Sequence, residues 1–190
     1  MKFSELKDFI YFDYKRLTVV PGGVIQRIFL SPQFNLVLWF RSLSYIKTKG
    51  FIGKILYPIL YWRYRWKCAK IGIDLRIGTQ IGKGLCFSHY GGVAINSASV
   101  IGENCLILQG VTIGEVRKNG KSLVPKIGNN VVIFAGAKII GDIKIGDNVI
   151  VGANAVVTHD VCDNAVVAGI PARVISMKGK EYSSQYMYGN

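Results

Sequence analysis

The sequence predicts a parallel β-helix preceded by a basic, helical segment. A small-to-medium, mostly apolar residue recurs at every sixth position from Leu75 to Val157. A period of six matches neither an amphipathic helix nor a two-faced strand. It fits a three-sided coil with one six-residue unit on each side. Gly and Asn cluster between these rungs, where they tolerate the left-handed backbone of a tight corner. The predicted rungs are Leu75, Ile81, Phe87, Val93, Ser99, Cys105, Val111, Ile127, Ile133, Ile139, Ile145, Val151 and Val157.

Residues 1–70 form a separate helical segment in this prediction. They hold 13 Lys and Arg against three acids, and 16 of the 22 Phe, Tyr and Trp residues. Apolar spacing predicts a helix over 4–17, and a stronger one over 34–45 after the start signal Ser31-Pro32. The stretch 50–70 is apolar first, and then aromatic residues alternate with Arg and Lys.

Two interpretations of residues 1–70 are open. Their aromatic side chains either form a core that packs on the β-helix, or lie at a membrane surface with Lys and Arg facing anionic lipid. The alternation over 61–67 is also compatible with stacked nucleic-acid bases, but we expect no nucleic acid. No stretch reaches the roughly 20 apolar residues that a spanning helix needs. The charged N-terminus predicts no signal peptide, and therefore a protein in the cytoplasm or on the inner face of the cell membrane.

The six-residue spacing fails once, between Val111 and Ile127. The interval of 16 residues predicts a loop of about ten residues within 114–126, and a long loop on a rigid scaffold is usually functional. The β-helix is expected to be an all-β catalytic domain over 71–175, followed by a polar tail over 176–190. The four cysteines show no paired spacing, which favours reduced thiols.

The chain contains two histidines, His89 and His159. A neutral imidazole is the usual general base for a hydroxyl, and it works better when a carboxylate orients it. Asp74 precedes His89 by 15 residues, nearly one 18-residue coil, so we expect it in the coil below. The alternative is a surface histidine and a turn aspartate with no contact between them.

The chain resembles the hexapeptide-repeat acyltransferases, and within them the serine acetyltransferase branch. The resemblance covers about 71–175 and includes the loop spacing. It rests on an Asp followed 15 residues later by a His-x-x-Gly motif, two further stretches and an Ala-Gly-x-Pro-Ala-Arg ending. These are Asp74, Ser88-His89-Tyr90-Gly91-Gly92, residues 107–114, residues 134–141 and residues 168–173.

This resemblance implies a left-handed β-helix, a homotrimer and acetyl-CoA as co-substrate, with no metal. His89 would be the general base oriented by Asp74, and His159 would be non-catalytic. Ser88, Tyr90 and Val124 occupy the positions expected to meet the acceptor. The expected acetyl-CoA contacts are Gly114, Ala135, Gly136, Lys138, Ala153, Ala168, Gly169 and Arg173.

Two positions depart from the branch. Val124 stands where serine acetyltransferases have a second His, and Ser88 stands where they have an Asp. Each loss removes a charge-assisted contact worth roughly 1.5–3 kcal/mol. We therefore predict an O-acetyltransferase that acts on a sugar hydroxyl of a polysaccharide or lipid-linked glycan, as in capsule and exopolysaccharide enzymes. A serine O-acetyltransferase and a non-enzymatic β-helix scaffold are the alternatives.

Overall fold

The computed structural model describes residues 1–16 and 31–187, so the predicted structure of 17–30 and 188–190 lies outside the described residues. Among the residues described, three helices precede the first strand: α1 (Phe3–Lys15), α2 (Pro32–Ile46) and α3 (Gly50–Ile71). Ser31 caps α2 as predicted, because its hydroxyl accepts a hydrogen bond of 3.2 Å from the Phe34 N–H. The helical N-terminal segment is therefore confirmed. Among the described residues, no helix combines the length and the apolar character needed to cross a membrane.

The chain then winds through three parallel sheets, which confirms the β-helix. The first sheet stacks β1 (Ile73–Asp74), β4 (Val93–Ile95), β7 (Thr112–Gly114), β12 (Lys138–Ile140) and β15 (Val156–Val157). The second stacks β2 (Gln80–Ile81), β5 (Val100–Ile101), β10 (Lys126–Ile127) and β13 (Lys144–Ile145). The third stacks β3 (Cys86–Phe87), β6 (Leu106–Ile107), β11 (Val132–Ile133), β14 (Ile150–Val151) and β16 (Val166–Gly169), with β17 (Ala172–Ser176) antiparallel at its edge.

The register corrects the predicted ladder in the second coil. Asp74 pairs with Ala94, 20 positions later, whereas Ala94 pairs with Thr112, 18 positions later. The two extra residues lie in the corner 88–92. Phe87, before this corner, pairs with Ile107, 20 positions later, whereas Ala94, after it, has the ordinary spacing of 18. All 13 predicted rungs are buried. However, the register aligns Ile101 with Ile81, Ile107 with Phe87 and Ile113 with Ile95. The ladder that begins at Leu75 therefore continues through Ile95, Ile101, Ile107 and Ile113, and not through the predicted Val93, Ser99, Cys105 and Val111.

The protruding loop is an ordered hairpin. Strands β8 (Val116–Lys118) and β9 (Lys121–Leu123) pair antiparallel. Thr112 pairs with Lys138, 26 positions later, so this coil exceeds an 18-residue coil by eight residues, and not by ten. The predicted size is corrected because the rung on its N-terminal side was placed two residues too early.

The helices and the coils share one apolar core, which runs from Phe40 and Tyr64 into the interior of the β-helix. A buried ion pair fixes this junction. Arg41 donates to the Asp13 carboxylate at 2.8 Å and to the carbonyls of Ile81 and Gly82 at 2.7 and 2.6 Å. Asp13 also accepts the N–H of Leu85 at 2.8 Å. Burial raises the pKa of Asp13, and Arg41 opposes that shift.

The C-terminal segment is not the simple polar tail that was predicted. Residues Gly179–Met187 form α4, which packs beside the third sheet. The Tyr186 ring meets the Phe134 ring edge to face, with centroids 5.6 Å apart. Phe134 in turn packs against a small apolar cluster on the outer surface of that sheet, which includes the buried Val132 of β11 and Ile150 of β14.

Candidate functional site

His89 lies on the widened corner between β3 and β4. Its neighbours Gly91 and Gly92 have φ values of 105° and 67°, a conformation that L side chains rarely adopt. The two extra residues push the corner outward, and Ser88, His89 and Tyr90 are all exposed. An exposed imidazole on a rigid corner can meet a substrate without movement of the coils.

Small residues stack above this corner in what we call the glycine column, which consists of Gly92, Gly110 and Gly136. A Cβ atom added at Gly92 would lie 3.4 Å from the Cα of Gly110, and one added at Gly110 would lie 3.4 Å from the Cα of Gly136. The Gly110 N–H also donates to the carbonyl of Gly91 at 2.9 Å. Successive corners therefore approach closely, with no side chain between them.

Most of the predicted acetyl-CoA contacts lie along this column. Ala135 and Gly136 form its third corner, and the Asn154 N–H, next to Ala153, donates to the carbonyl of Ala135 at 2.8 Å. A Cβ at Gly152 would lie 3.1 Å from the Cβ of Ala168, so 168–169 continue the run. The structure thus brings five of the eight predicted residues together: Ala135, Gly136, Ala153, Ala168 and Gly169.

The other three predicted contacts are placed differently. The Lys138 ammonium donates to the carbonyl of Gly110 at 2.6 Å, so it is held against the column. Arg173 pairs with Ala168 across β16 and β17, and its guanidinium lies 2.8 Å from the imidazole Nε2 of His159. Gly114 lies away from the column, at the base of the hairpin.

Asp74 lies in the first coil, below β4. The Gly72 carbonyl accepts a hydrogen bond of 3.0 Å from the Val93 N–H, and a Cβ at Gly72 would lie 3.0 Å from the Cα of Gly91. The chain therefore touches the His89 corner two residues before Asp74. The Asp74 carboxylate accepts a hydrogen bond of 2.7 Å from Arg65 of α3. Within 1–16 and 31–187 the structure records no hydrogen bond between Asp74 and His89.

A polar pocket extends from Asp74 to the base of the hairpin. Its charged lining residues are Asp74, Arg76, Glu115 and Arg117. Glu115 accepts hydrogen bonds from Ser122, from Arg117 at 2.8 Å and from Asn96 at 3.2 Å. The Ser122 hydroxyl contributes most to lowering the pKa of the Glu115 carboxyl, followed by Arg117. The pocket thus holds both signs of charge beside Asp74.

Sequence reasoning did not identify Arg65 or Glu115. Glu115 could have been found from its position, because it is an acidic residue directly after β7, where the spacing indicates that the loop begins. The remaining predicted acceptor position, Val124, follows β9 and is half-buried. It belongs to the hairpin, whereas Ser88 and Tyr90 belong to the His89 corner. In the described part of the chain, no three His, Cys, Asp or Glu side chains are grouped to hold a metal ion.

Comparison with known proteins finds serine acetyltransferases among the relatives of this chain. Residues 125–159 match the family model of the bacterial transferase hexapeptide, six repeats. The serine acetyltransferase of Synechococcus elongatus is 37% identical over 142 residues, which are 68% of this chain and 58% of the relative. That of Staphylococcus epidermidis is 41% identical over 119 residues, 63% of this chain and 56% of the relative. The chain thus spans a little more than half the length of these curated relatives.

Solved structures show the same likeness over almost the whole chain. The soybean serine acetyltransferase complexed with serine superposes with a TM-score of 0.75 at 31% identity, covering 90% of this chain and 70% of that one. The Neisseria gonorrhoeae serine acetyltransferase in complex with serine gives a TM-score of 0.76 at 28% identity, covering 92% and 70%. These relatives contradict the prediction of a glycan acceptor and favour its serine alternative.

Proposed function

Because the chain belongs to the hexapeptide-repeat acyltransferases of the serine acetyltransferase type, we propose that it transfers the acetyl group of acetyl-CoA to the hydroxyl of L-serine. One observation carries this proposal at the level of the site. His89 stands at the head of the glycine column, and the chain leading to Asp74 touches its corner from below. A general base, an orienting carboxylate and a surface for an extended thioester thus adjoin one another.

In the proposed reaction, the neutral imidazole of His89 removes the proton from the serine hydroxyl. The hydroxyl oxygen attacks the thioester carbonyl, and a backbone N–H stabilises the oxyanion. The new bond between the carbonyl carbon and the serine oxygen stays, and the carbon–sulfur bond of the thioester breaks. The imidazolium then gives its proton to the departing CoA thiolate. Asp74 stabilises the transient imidazolium and fixes its orientation.

The glycine column suits the extended arm of acetyl-CoA. Its corners present backbone groups with only hydrogen or methyl side chains at Gly136, Ala135 and Ala153, so a chain-like ligand can approach the backbone. Arg173 lies at the far end, where a guanidinium can pair with phosphate oxygens. We include a left-handed, homotrimeric β-helix in the proposal, because a groove between neighbouring subunits would give acetyl-CoA a second wall beside the column.

The polar pocket supports an amino-acid acceptor. A zwitterion needs a negative partner for its ammonium group and a positive partner for its carboxylate. Ser88 and Val124 supply neither, but Glu115 offers a carboxylate, and Arg76 lines the same pocket as a guanidinium. Asp74 borders this pocket and lies two residues after Gly72, which touches the His89 corner. Serine bound here would therefore have its hydroxyl directed toward the general base.

Release of CoA thiol tests the proposal. We expect L-serine to accelerate release from acetyl-CoA, and His89→Ala to lower kcat by roughly 10²–10⁴ without weakening acetyl-CoA binding in calorimetry. His159→Ala is the matched control and should keep kcat. Because Arg173 contacts His159, any disturbance of Arg173 in this variant should appear as a higher KM for acetyl-CoA. No acceleration by serine, or full activity in His89→Ala, would overturn the proposal.

A further inference from the structure

Helix α3 exposes a continuous stripe of large apolar side chains. Phe51, Ile55, Ile59, Trp62 and Trp66 are 78, 54, 64, 71 and 62% exposed. Their spacings of four, four, three and four residues place them within an arc of about 80° on the helix, over a length of about 22 Å. We call these five residues the α3 stripe. Single exposed apolar residues are ordinary, but a contiguous row marks an interaction surface.

The stripe is not the face by which α3 packs on the protein. The opposite side of the helix carries Tyr64, Cys68 and Ile71, which are buried in the shared core. The Tyr64 hydroxyl also donates to the carbonyl of Leu75 at 2.7 Å. The helix is therefore apolar on two opposite sides, and only one of them is used for folding in this chain.

Cations flank the stripe on both sides, and α3 contains no Asp or Glu. Arg63, Lys67 and Lys70 follow one edge, and Lys54 lies along the other. Trp62, Trp66, Arg63 and Lys67 line a shallow pocket with Trp39 of α2. The Lys70 ammonium lies 5.4 Å from the centre of the Trp66 ring, so charge and aromatic surface are adjacent.

We propose that the α3 stripe docks the protein on the surface of an anionic lipid membrane. A helix that lies in the interface buries an apolar face among headgroups and acyl chains while its cations meet lipid phosphates. Trp is favoured at this depth because its ring is amphipathic. The helix lies along the membrane and does not cross it. This inference does not depend on acetyl transfer or on the identity of its acceptor.

Charge decides between a membrane and a second copy of the chain as the occupant. Two copies that met through this stripe in a symmetric pair would bring the same flanks together. Those flanks carry Arg63, Lys67, Lys70 and Lys54, and α3 offers no acid to compensate them. An anionic lipid surface provides the opposite charge along the whole length of the stripe, and each Lys or Arg near it strengthens binding by a factor of about five.

Tryptophan fluorescence of the full chain gives a direct test, because its three tryptophans are Trp39, Trp62 and Trp66. We expect a blue shift and co-sedimentation with vesicles of phosphatidylcholine and phosphatidylglycerol, and much weaker binding to phosphatidylcholine alone. Binding should weaken between 0.01 M and 1 M salt, as the screening length falls from about 30 Å to about 3 Å.

Two double variants separate the apolar and the charged contributions. Trp62→Ser with Trp66→Ser should abolish the association, and Lys67→Gln with Lys70→Gln should weaken it about 30-fold. Matched controls are Ile175→Ser with Met177→Ser, which alters exposed apolar residues elsewhere, and Lys178→Gln with Lys180→Gln. The His89→Ala variant should bind vesicles as the unaltered chain does, so this test and the test of acetyl transfer fail separately.

Three outcomes would overturn the inference. The first is equal binding to neutral and anionic vesicles, or none to either. The second is a fall in oligomer mass in sedimentation velocity when Trp62 and Trp66 are replaced, which would assign the stripe to a second copy. The third is a fluorescence change with a single-stranded oligonucleotide and not with vesicles.

Discussion

Arg65 on α3 donates a hydrogen bond of 2.7 Å to Asp74 on β1. The carboxylate assigned to orient His89 is thus held by the helix that precedes the coils. One carboxylate oxygen accepts the hydrogen bond from the guanidinium, and the other can accept one from an imidazole N–H. The contact also raises the pKa of Arg65, which keeps its charge at every working pH. We infer that Arg65 is a positioning residue for the proposed base.

Replacing Arg65 tests this role. Arg65→Ala should lower kcat about tenfold, since general base catalysis as a whole supplies about 10²–10⁴, and should leave the KM for serine nearly unchanged. Arg65→Lys should restore most of the loss. Both side chains are substantially exposed, so the pair adds at most about 1 kcal/mol to folding. A fall in activity that followed only a fall in melting temperature would refute the positioning role.

Glu115→Gln tests the assignment of the polar pocket to the acceptor. The change keeps the shape of the side chain, removes the charge proposed to meet the serine ammonium and leaves one oxygen to accept hydrogen bonds in place of two. We expect the KM for serine to rise about tenfold or more, since charge-assisted contacts are worth about 1.5–3 kcal/mol, with the KM for acetyl-CoA unchanged. Glu103→Gln, on a distant corner, is the control. An equal effect of both variants would remove Glu115 from the acceptor site.

The sequence predicts the six-residue repeat of the β-helix, but it does not show which of two inward-facing residues in a strand continues the ladder of the coil before it. Residues two apart in a strand face the same way, so Val93 and Ile95 both point inward, and each starts a ladder of period six. The ladder of Ile95, Ile101, Ile107 and Ile113 is the more uniformly apolar of the two. This more apolar ladder begins two residues later than the predicted one, and that offset was the sequence signal for the two extra residues at the His89 corner.

The site was predictable only where a motif fixes it. His89 and Asp74 were selected by their spacing, whereas their roles and the acetyl-CoA contacts along the column were implied by the resemblance to serine acetyltransferases. Arg65 reaches Asp74 only because α3 docks on the first coil, and docking depends on packing between distant segments. The proposed serine acceptor stood in the sequence analysis only as an alternative, because the losses at Ser88 and Val124 were weighed without the charges at the hairpin base.

Asn148 offers a test of the corner between β13 and β14. It has a φ of 57°, and its side-chain amide accepts from Asn130 at 3.1 Å and donates to Asn164 at 3.0 Å. Asn148→Ala should lower the free energy of unfolding by about 3 kcal/mol, from left-handed strain and two lost hydrogen bonds.

Asn148→Gly separates those two causes, because glycine tolerates the positive φ but cannot form the bonds. It should cost about 1 kcal/mol less than Ala in urea unfolding. If Gly and Ala proved equally costly, the strain component would be absent and only the side-chain ladder would stabilise the corner.

The four free cysteines give a pH-dependent prediction. Cys162 is exposed, whereas burial raises the pKa of Cys86 to about 11 and that of Cys105 to about 12, and also raises the pKa of Cys68. At pH 8, a thiol reagent should label one cysteine per native chain and four after unfolding. Since a raised thiol pKa favours the protonated folded state, stability is full below the unfolded pKa of about 8.5 and falls as pH rises toward 11. Rapid labelling of Cys86 at pH 8 would contradict this account.

The buried pair Asp13–Arg41 should be the most sensitive point of the junction between helices and coils. Asp13→Ala leaves the Arg41 guanidinium buried without its counter-charge, which costs about 3–5 kcal/mol. Asp8→Ala on the exposed side of α1 is the control and should cost under about 0.5 kcal/mol.

The double variant Asp13→Leu with Arg41→Met should lose less than the sum of its single changes, because no lone charge stays buried. It should still be less stable than the unaltered chain, since the Ile81 carbonyl loses its donor, at about 1–3 kcal/mol for each unsatisfied group. Urea unfolding of Asp13→Ala, Asp8→Ala, the double variant and its two single variants decides this, and strict additivity of the single changes would show that the two charges are not coupled.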